Sequence, residues 1–424
     1  MSDLASHRTA LPALTERVET VIVGGGQAGL AMSYYLGQLG CEHVILERRR
    51  VAERWRSERW DSLCFQAPSW NMRLPGFDHQ AADPDAFAPR DDVVRYIEGY
   101  ACAIGAPIRC GVAATALGQK PGSTRLMIES TAGGFEAKNV VIATGPFQIP
   151  APHPSLCCKA LQLHSSQYQN PELLPPGAVL IVGSGNSGCQ IAEELSASRR
   201  VYLSVSGHQR TPRRYRGKDC IWWNLALGDA DRTVDQRVDA QPSRLMTGVG
   251  GGHDVDLRRL AAEGVVLLGC VLGGRDGRLA LAPDLGENLA RGDASLIALM
   301  RRCDEHVVRN GLDFPAPDTS AESMPDPKEV ADPILTLDLA AADISTIIWA
   351  NGFRHDFGWI DLPIFANGAE ASHRVPSHKR GISDVPGVYF LGLPWLHKWK
   401  SAFLFGVGED AEHLAGQIAG DARP

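Results

Sequence analysis

Two stretches of the chain show the same change of pattern, from an unbroken apolar run to a glycine-rich turn. Residues 21–30 read VIVGGGQAGL, and residues 180–189 read LIVGSGNSGC. A short apolar run rich in β-branched residues predicts a buried strand, and the periodic pattern after each turn predicts a helix. We therefore predict two strand–turn–helix units, separated by about the length of a small domain.

The first unit combines several features of a dinucleotide site. Gly24, Gly26 and Gly29 have the spacing GxGxxG, and a helix and a second strand follow them. This spacing allows a tight turn, close approach of a pyrophosphate and close packing of helix on strand. The second strand, 43–46, ends at Glu47, where a carboxylate can accept a hydrogen bond from a ribose hydroxyl. We predict a dinucleotide site here rather than a purely structural turn.

The second unit repeats the spacing at Gly183, Gly185 and Gly188, again between two predicted strands. At the offset that leads to an acid in the first unit, the second unit has Ser206. Absence of that acid is expected where a 2′-phosphate is bound, and so for NADP(H).

Basic residues follow Ser206 closely. The segment 207–218 reads GHQRTPRRYRGK, and its bases are His208, Arg210, Arg213, Arg214 and Arg216. Because arginine binds phosphate through charge-assisted hydrogen bonds, we predict that at least one of them contacts the 2′-phosphate. The alternative is a solvated basic loop. The nucleotide-binding candidates chosen from this region are Ser206, His208, Arg210 and Arg213, with Arg210 as the first choice for the phosphate.

Two glycine turns thus indicate two dinucleotides. The first turn, with its acid, suits the ADP half of FAD, and the second suits NAD(P)H. A chain that holds both can pass a hydride from a nicotinamide to a flavin.

Each unit is echoed later by another apolar strand that ends in a small residue and a glycine. Residues 140–146 read VVIATGP, and residues 347–353 read IIWANGF. This arrangement predicts an α/β fold with two Rossmann-like dinucleotide-binding domains, in which the NAD(P)H domain is inserted into the FAD domain. The predicted parts are the FAD domain at 1–165, with a leader at 1–18, the NAD(P)H domain at 166–333 and the rest of the FAD domain at 334–424.

Composition and charge exclude several classes of function. The chain has 424 residues and a net charge of -7, so we expect no nucleic-acid partner. No apolar run approaches the roughly 18 residues of a membrane helix, and the start of the chain lacks a signal peptide's long apolar core. The ten cysteines are scattered without a CxxC pair, which is typical of a reducing compartment. We expect a cytoplasmic protein without a bound metal, and we keep a homodimer as one assembly to test.

Four further segments give the chain a resemblance to a known family. They are ERWRSERWDSL at 53–63, PSWNMRLPG at 68–76, PRRYRG at 212–217 and NGFRHDFGWI at 351–360. Together with the two glycine turns they resemble the class B flavin-dependent monooxygenases, the group of the flavin-containing monooxygenases and the plant YUCCA enzymes. The bacterial CzcO-like branch is the most similar. The resemblance implies FAD and NAD(P)H as cofactors, O2 as co-substrate and a small organic molecule as substrate.

The resemblance also implies roles for individual residues. It implies that FAD is held by residues of the first turn, by an acid at the ribose and by two residues near the flavin, namely Gly24, Gly26, Gln27, Gly29, Glu47, Arg48 and Trp55. It implies that the NAD(P)H pyrophosphate is held by Gly183, Gly185, Asn186, Ser187 and Gly188. Two amides, Gln66 and Asn71, are catalytic candidates for stabilising the oxygen intermediate. The alternative for each is an ordinary loop amide.

The chain departs from the family at two places. The family's linker fingerprint, F-x-G-x-x-x-H followed soon by an aromatic residue or proline, corresponds to CKALQLHSSQY at 158–168. His164 remains, whereas Cys158 and Ala160 replace Phe and Gly, which favours oxygen transfer to nitrogen, sulfur or an activated carbon over attack on a carbonyl. Close relatives carry an arginine where this chain has Gly207, so NADH stays open beside NADPH.

The predicted activity is that of an FAD-dependent NAD(P)H:O2 monooxygenase, which inserts one oxygen atom into its substrate through a C4a-(hydro)peroxyflavin. Family members oxygenate amines, sulfides, ketones or 2-oxo acids. The alternative is an NAD(P)H oxidase or a flavin electron-transfer reductase without an oxygenated substrate. A disulfide reductase would need a redox-active cysteine pair beside the flavin, and a flavin-binding sensor would not need two intact nucleotide turns.

Overall fold

The structure, a computed structural model, describes residues 15–153, 156, 158–237, 242, 244–317, 324–365 and 376–421. In chain order its strands are β1 (Thr15–Val23), β2 (His43–Glu47), β3 (Arg73–Leu74), β4 (Phe77–Asp78), β5 (Ile108–Cys110), β6 (Ala114–Gln119), β7 (Leu126–Ser130), β8 (Gly133–Ile142), β9 (Ile149–Pro150), β10 (Leu161–His164), β11 (Ala178–Val182), β12 (Val201–Ser204), β13 (Arg214–Tyr215), β14 (Lys218–Asp219), β15 (Val266–Leu268), β16 (Val271–Arg275), β17 (Arg278–Leu281), β18 (Thr336–Asp338), β19 (Ile344–Trp349), β20 (Phe353–Arg354), β21 (His378–Lys379), β22 (Ile382–Ser383) and β23 (Val388–Phe390). Its helices are α1 (Gln27–Gln38), α2 (Glu53–Ser57), α3 (Arg90–Ala103), α4 (Asn186–Ser196), α5 (Cys220–Ala226), α6 (Leu257–Ala262), α7 (Leu285–Asn310), α8 (Lys328–Ala331) and α9 (Val407–Asp421). Within the ranges described, no helix combines the length and apolar character needed to cross a bilayer.

The first domain is built around a nine-stranded sheet. Its main path runs β21-β22-β23-β8-β1-β2-β5, and β7 and β6 extend it from β8. β1 lies between β2 and β8 and is parallel to both, which buries Val21 and Ile22 completely. Because both faces of the central strands are covered, they read as unbroken apolar runs rather than as an alternating pattern. Helices α1 and α9 pack against each other in this domain.

The second domain contains a five-stranded parallel sheet in the order β10-β19-β11-β12-β15. One of its faces packs against helix α4, and the other packs against the small antiparallel sheet β16-β17-β18 through Leu279, Leu281 and Leu337. This domain lies between β8 and β21 in the chain. The predicted fold, two Rossmann-like domains with the second inserted into the first, is therefore confirmed.

The domain limits differ from those expected from sequence. β1 begins at Thr15, inside the expected leader 1–18. β10 and β19 belong to the second sheet, although the expected limits assigned them to the first domain. The reason is that β19 pairs in parallel with both β10 and β11, so the second sheet recruits strands from beyond both ends of the range 166–333.

The two connections between the domains pair with each other. β9 on the outgoing connection and β20 on the returning one form a two-stranded antiparallel ribbon. The N–H of Ala151 extends the ribbon by donating to the carbonyl oxygen of Gly352 at 2.9 Å. The inserted domain is thus joined to the first by two strands that support each other.

The third glycine of each turn packs directly on the first. A Cβ placed on Gly29 would lie 1.9 Å from the carbonyl oxygen of Gly24, and one placed on Gly188 would lie 1.8 Å from that of Gly183. These distances are far shorter than any real contact, so helix and strand can approach this closely only when the residue has no side chain.

We expect Gly29→Ala to lower the free energy of unfolding by about 1–3 kcal/mol, because the new methyl group overlaps a backbone oxygen that has no free space to move into. Gly37→Ala on the same helix is the matched control. A Cβ at Gly37 meets nothing within 4 Å, so alanine there should stabilise the helix by roughly 0.5–1 kcal/mol. Urea unfolding followed by circular dichroism measures both. Equal midpoints for the two variants would contradict the packing role of Gly29.

Candidate functional site

The first glycine turn joins β1 to α1 and is held by backbone contacts. Gly24 has a φ of +112°, and a Cβ on it would lie 2.5 Å from the carbonyl oxygen of Ala143. Its N–H donates to the carbonyl oxygen of Leu46 at 2.9 Å. A Cβ on Gly26 would meet no protein atom within 4 Å. The turn therefore has open space at the N-terminus of α1, where a phosphate group fits.

Glu47 ends β2 beside this turn. Its Oε2 accepts the N–H of Gly25 at 2.8 Å, and its Oε1 accepts the N–H of Arg49 at 2.9 Å. A carboxylate has about four lone-pair positions, so Glu47 keeps acceptor capacity for the hydroxyl groups of a ribose. The residue is half-buried at the end of the strand, and its role at a ribose stays a prediction.

The other residues predicted for this site surround the turn. Gln27, the first residue of α1, donates through Nε2 to the carbonyl oxygen of Ala402 at 2.6 Å, which connects the turn to the C-terminal part of the domain. The Trp55 ring lies 6.2 Å from that of Phe65 and packs against the cores of both domains. Arg48 is exposed. The structure thus places Trp55 where the two domains meet.

The second glycine turn, between β11 and α4, makes the same kinds of backbone contact as the first. Gly183 has a φ of +109°, and a Cβ on it would lie 2.5 Å from the carbonyl oxygen of Ala350. Its N–H donates to the carbonyl oxygen of Ser204 at 3.2 Å. A Cβ on Gly185 would again meet no protein atom within 4 Å. The second turn therefore has the same open space at the start of α4.

The strand end beside the second turn carries no acid. Strand register makes Val205, directly after β12, the counterpart of Glu47. Val205 is fully buried and has no side-chain acceptor. Ser206, the residue indicated by the sequence offset, lies one position further on, and its N–H donates to Oγ of Ser184 at 2.9 Å. The position of the counterpart is thus corrected by one residue.

Helix α4 begins at Asn186, whose side chain links two other segments. Its Oδ1 accepts the N–H of Met246 at 2.8 Å, and its Nδ2 donates to Oε1 of Gln66 at 3.4 Å. Ser187 is half-buried in the first turn of the same helix. Gln66, one of the two predicted catalytic amides, belongs to the first domain. Its contact with Asn186 places it at the second turn.

Arg210 and His208, which the sequence suggested for nucleotide binding, are engaged by other groups of the protein. Nη2 of Arg210 bonds Asp256 at 2.6 Å, and its Nη1 bonds Asp293, so both ends of the guanidinium already have carboxylate partners. Nδ1 of His208 lies 3.2 Å from the carbonyl oxygen of Ser206. Burial lowers the pKa of His208, so this ring is neutral at neutral pH.

Arg213, predicted from the sequence as a nucleotide-binding residue, connects the two domains through contacts with protein groups. Its guanidinium bonds both carboxylate oxygens of Asp219, at 2.9 and 2.5 Å, and Nη1 donates to the carbonyl oxygen of Gln66 at 2.8 Å. Its Cζ lies 4.6 Å from the ring centroid of Phe87. The residue is only 3% exposed, and its Nε, Nη1 and Nη2 atoms all donate to protein groups.

Known proteins with similar sequence and structure agree with this geometry. The family described as pyridine nucleotide-disulphide oxidoreductase matches residues 21–221. The uncharacterized oxidoreductase CzcO-like of Geobacillus kaustophilus is 33% identical over 408 residues, which cover 95% of this chain and 98% of the relative. The chain belongs to the CzcO-like branch of the class B flavin-dependent monooxygenases.

More distant relatives of this monooxygenase share its fold or part of its sequence. Indole-3-pyruvate monooxygenase YUCCA4 of Oryza sativa is 31% identical over 194 residues, which cover 41% of this chain and 44% of the plant protein. The flavin-containing monooxygenase from Stenotrophomonas maltophilia has a TM-score of 0.65 at 18% identity, over 96% of this chain and all of the other. At that identity the likeness concerns the fold. Membership of the flavin monooxygenase family, rather than this likeness of fold, implies a flavin and a pyridine nucleotide as cofactors.

The two amides proposed for catalysis in the monooxygenase lie in different surroundings. Gln66 reaches the second turn through Asn186. Asn71 closes a short 3₁₀ turn at 69–71, is 1% exposed, and its Nδ2 has no hydrogen-bond partner within the part of the chain that the structure describes.

Sequence reasoning missed a further cation of the monooxygenase at the domain boundary. Arg59 lies just after α2, beside the rings of Trp55 and Phe147. The motif ERWRSERWDSL gave no signal for it, because its three arginines are matched in number by two glutamates and one aspartate. Only the structure shows which of these charges pair.

We expect Arg213→Gln to lower the free energy of unfolding of the monooxygenase by about 3–5 kcal/mol, because Asp219 would keep its buried charge without a partner. Arg214→Gln is the matched control, since Arg214 is the exposed neighbour and its loss should change stability by no more than about 0.5 kcal/mol. Urea midpoints of the two purified variants give the comparison. A midpoint for Arg213→Gln equal to that of the control would show that the contacts of Arg213 with Asp219 and Gln66 do not stabilise the protein.

Proposed function

We propose that the chain is an FAD-dependent NAD(P)H:O2 monooxygenase that inserts one oxygen atom into a small organic molecule. FAD would bind at the first turn and NAD(P)H at the second. The observation that carries the proposal is the pair of turns with matching backbone contacts but different strand ends, Glu47 in the first and Val205 in the second. A ribose acceptor in one turn and its absence in the other fit two different dinucleotides.

The residues present fit both nucleotides. Gly26 and Gly185 leave the space that a pyrophosphate needs, and each helix N-terminus behind them supplies unpaired N–H groups. Glu47 has acceptor capacity for the ribose of FAD. When bound, the flavin would accept a hydride from the nicotinamide and activate O2.

Asn71 is the residue best suited to face the reacting groups. A buried amide N–H without a partner costs free energy, and a bound ligand that accepts from it would remove that cost. Asn71 would then hold a polar oxygen in a site that excludes water. Gln66, on the same segment, would connect this site to the nicotinamide turn through Asn186.

The choice between NADPH and NADH rests on the basic segment. Arg210 is engaged by two aspartates, and Gly207 has no side chain to offer a 2′-phosphate. With no acid to repel the phosphate, and with Arg210 already paired to two aspartates, we propose that the enzyme uses both nucleotides.

The cysteines argue against disulfide reduction, the activity named in the description of the matching family. Burial raises the pKa of five thiols, those of Cys64, Cys189, Cys220, Cys270 and Cys303. The pKa is raised to about 11 in Cys270 and to about 12 in Cys303. A disulfide reductase needs a thiolate that forms readily. The nine described cysteines are all free, which agrees with the cytoplasmic location that we propose.

We expect Gly26→Val to abolish FAD binding and Gly185→Val to abolish NAD(P)H binding while FAD is retained, because each side chain would occupy the space of one pyrophosphate. Neither Cβ touches protein, so both variants should fold, and each serves as the control for the other. Flavin absorbance after gel filtration measures the first effect, and calorimetric titration with NADP+ the second. Full FAD content in Gly26→Val would refute the assignment of the first turn.

The oxygenation itself is tested by measuring how far nucleotide consumption is coupled to product formation. An amine, a thioether, a ketone and an aryl-pyruvate are each added to the enzyme with O2 and either NADPH or NADH. At least one compound should yield an oxygenated product and lower the peroxide released per nucleotide consumed, and kcat/KM for the two nucleotides should agree within about tenfold, since no charge-assisted contact distinguishes them. Peroxide equal to the nucleotide consumed under every condition would identify an NAD(P)H oxidase.

A further inference from the structure

Arg59 carries a positive charge that the protein only partly accommodates. Its Nη1 donates to the backbone carbonyl oxygen of Glu58 at 2.7 Å, and it forms no ion pair with any residue that the structure describes. Burial lowers its pKa to about 10, so the guanidinium stays protonated at neutral pH. A largely desolvated cation without an anionic partner is unfavourable on its own.

The nearest carboxylate is already used. Glu58 pairs with Arg54, whose Nη2 also donates to the carbonyl oxygen of Gln148 at 3.1 Å. The one carboxylate beside two guanidinium groups is thus bound to Arg54, which leaves the positive charge of Arg59 unpaired at this point of the domain boundary. Since that charge interacts strongly in a poorly hydrated site, an anion from outside the chain would be bound there.

Aromatic rings flank the free cation. The Cζ atom of Arg59 lies 5.9 Å from the ring centroid of Trp55 and 5.5 Å from that of Phe147. The Phe147 side chain is 45% exposed, and its ring lies 5.2 Å from that of Phe353. An apolar surface next to a cation suits a ligand that has both an apolar body and an anionic group.

This group of residues lies where ligands of parallel sheets bind. Phe147 follows the carboxyl end of β8 in the first sheet, and Phe353 follows that of β19 in the second. A crevice of about 390 Å³ lies next to this group, and its wall includes Glu58, Gln148 and Phe353, which are neighbours of Arg59 and Phe147. The crevice outside the carboxyl ends of the strands is the usual ligand position in such folds.

We propose that Arg59 binds an oxyanion, a carboxylate or a phosphate, of a small molecule held between the two domains. The guanidinium can give two parallel N–H bonds to such a group, and the rings of Trp55 and Phe147 would contact the rest of the molecule. The proposal rests on the proposed function, which brings nucleotides and substrates to this crevice. A nucleotide would supply the phosphate, and a substrate acid would supply the carboxylate.

Calorimetric titration of the oxidised, FAD-loaded protein tests the proposal without turnover. The probes are NAD+, NADP+, phenylacetate and its neutral analogue phenylacetamide. Arg59→Gln should weaken the binding of at least one anionic probe about tenfold or more, because a charge-assisted contact is lost. Phenylacetamide should bind as it does to the unaltered protein. Weaker NAD+ or NADP+ identifies the phosphate source, and weaker phenylacetate identifies the carboxylate source.

Arg56→Gln is the matched control, because Arg56 lies on α2, three residues before Arg59, and pairs with Glu98. It should leave all four affinities unchanged. If Arg59→Gln does not fold, Arg59→Lys retains the charge without the fork, and it should weaken the same anionic probe to a smaller extent. Affinities for every anion equal to those of the control would overturn the proposal. A failure of oxygenation would leave these affinities measurable, so the two proposals fail separately.

Discussion

Each nucleotide turn depends on one contact that leaves no room for a side chain, between the first glycine and a backbone carbonyl of the neighbouring strand. In the first domain Gly24 lies against Ala143, and in the second Gly183 lies against Ala350. The contact fixes a backbone conformation open to glycine alone and sets where the next helix begins. The open space beside the second glycine follows, because the helix N-terminus and the two strand ends are then held around it.

The parts of the molecule that the sequence predicted are those controlled by local sterics. The glycine spacing reports a turn whose contacts lie within one strand–helix unit, and Glu47 is a strand-end residue of that same unit. The limits of the domains depend instead on which strands pair across long stretches of chain. β10 and β19 have no local feature that assigns them to the second sheet, so their membership came only from the structure.

Electrostatic pairing in the second domain was equally hidden from the sequence. The bases after Ser206 read as a phosphate-binding loop, yet the carboxylates that meet Arg210 come from Asp256 and Asp293, far along the chain. A positively charged side chain can bind a ligand only if it does not already form an ion pair with such a distant carboxylate. Arg59 is available by this criterion, since its neighbouring acid is bound to Arg54.

The paired connections between the domains bear on how the two-domain chain evolved. The outgoing and returning strands, β9 and β20, lie side by side, so the inserted domain leaves and re-enters the first at one place. A second copy of the dinucleotide unit could therefore have entered a single surface loop of an ancestral domain without interrupting its sheet. The similar turn geometry at Gly24 and Gly183 is what such a gene duplication would leave behind, while the strand ends beside the turns, at Glu47 and Val205, have diverged.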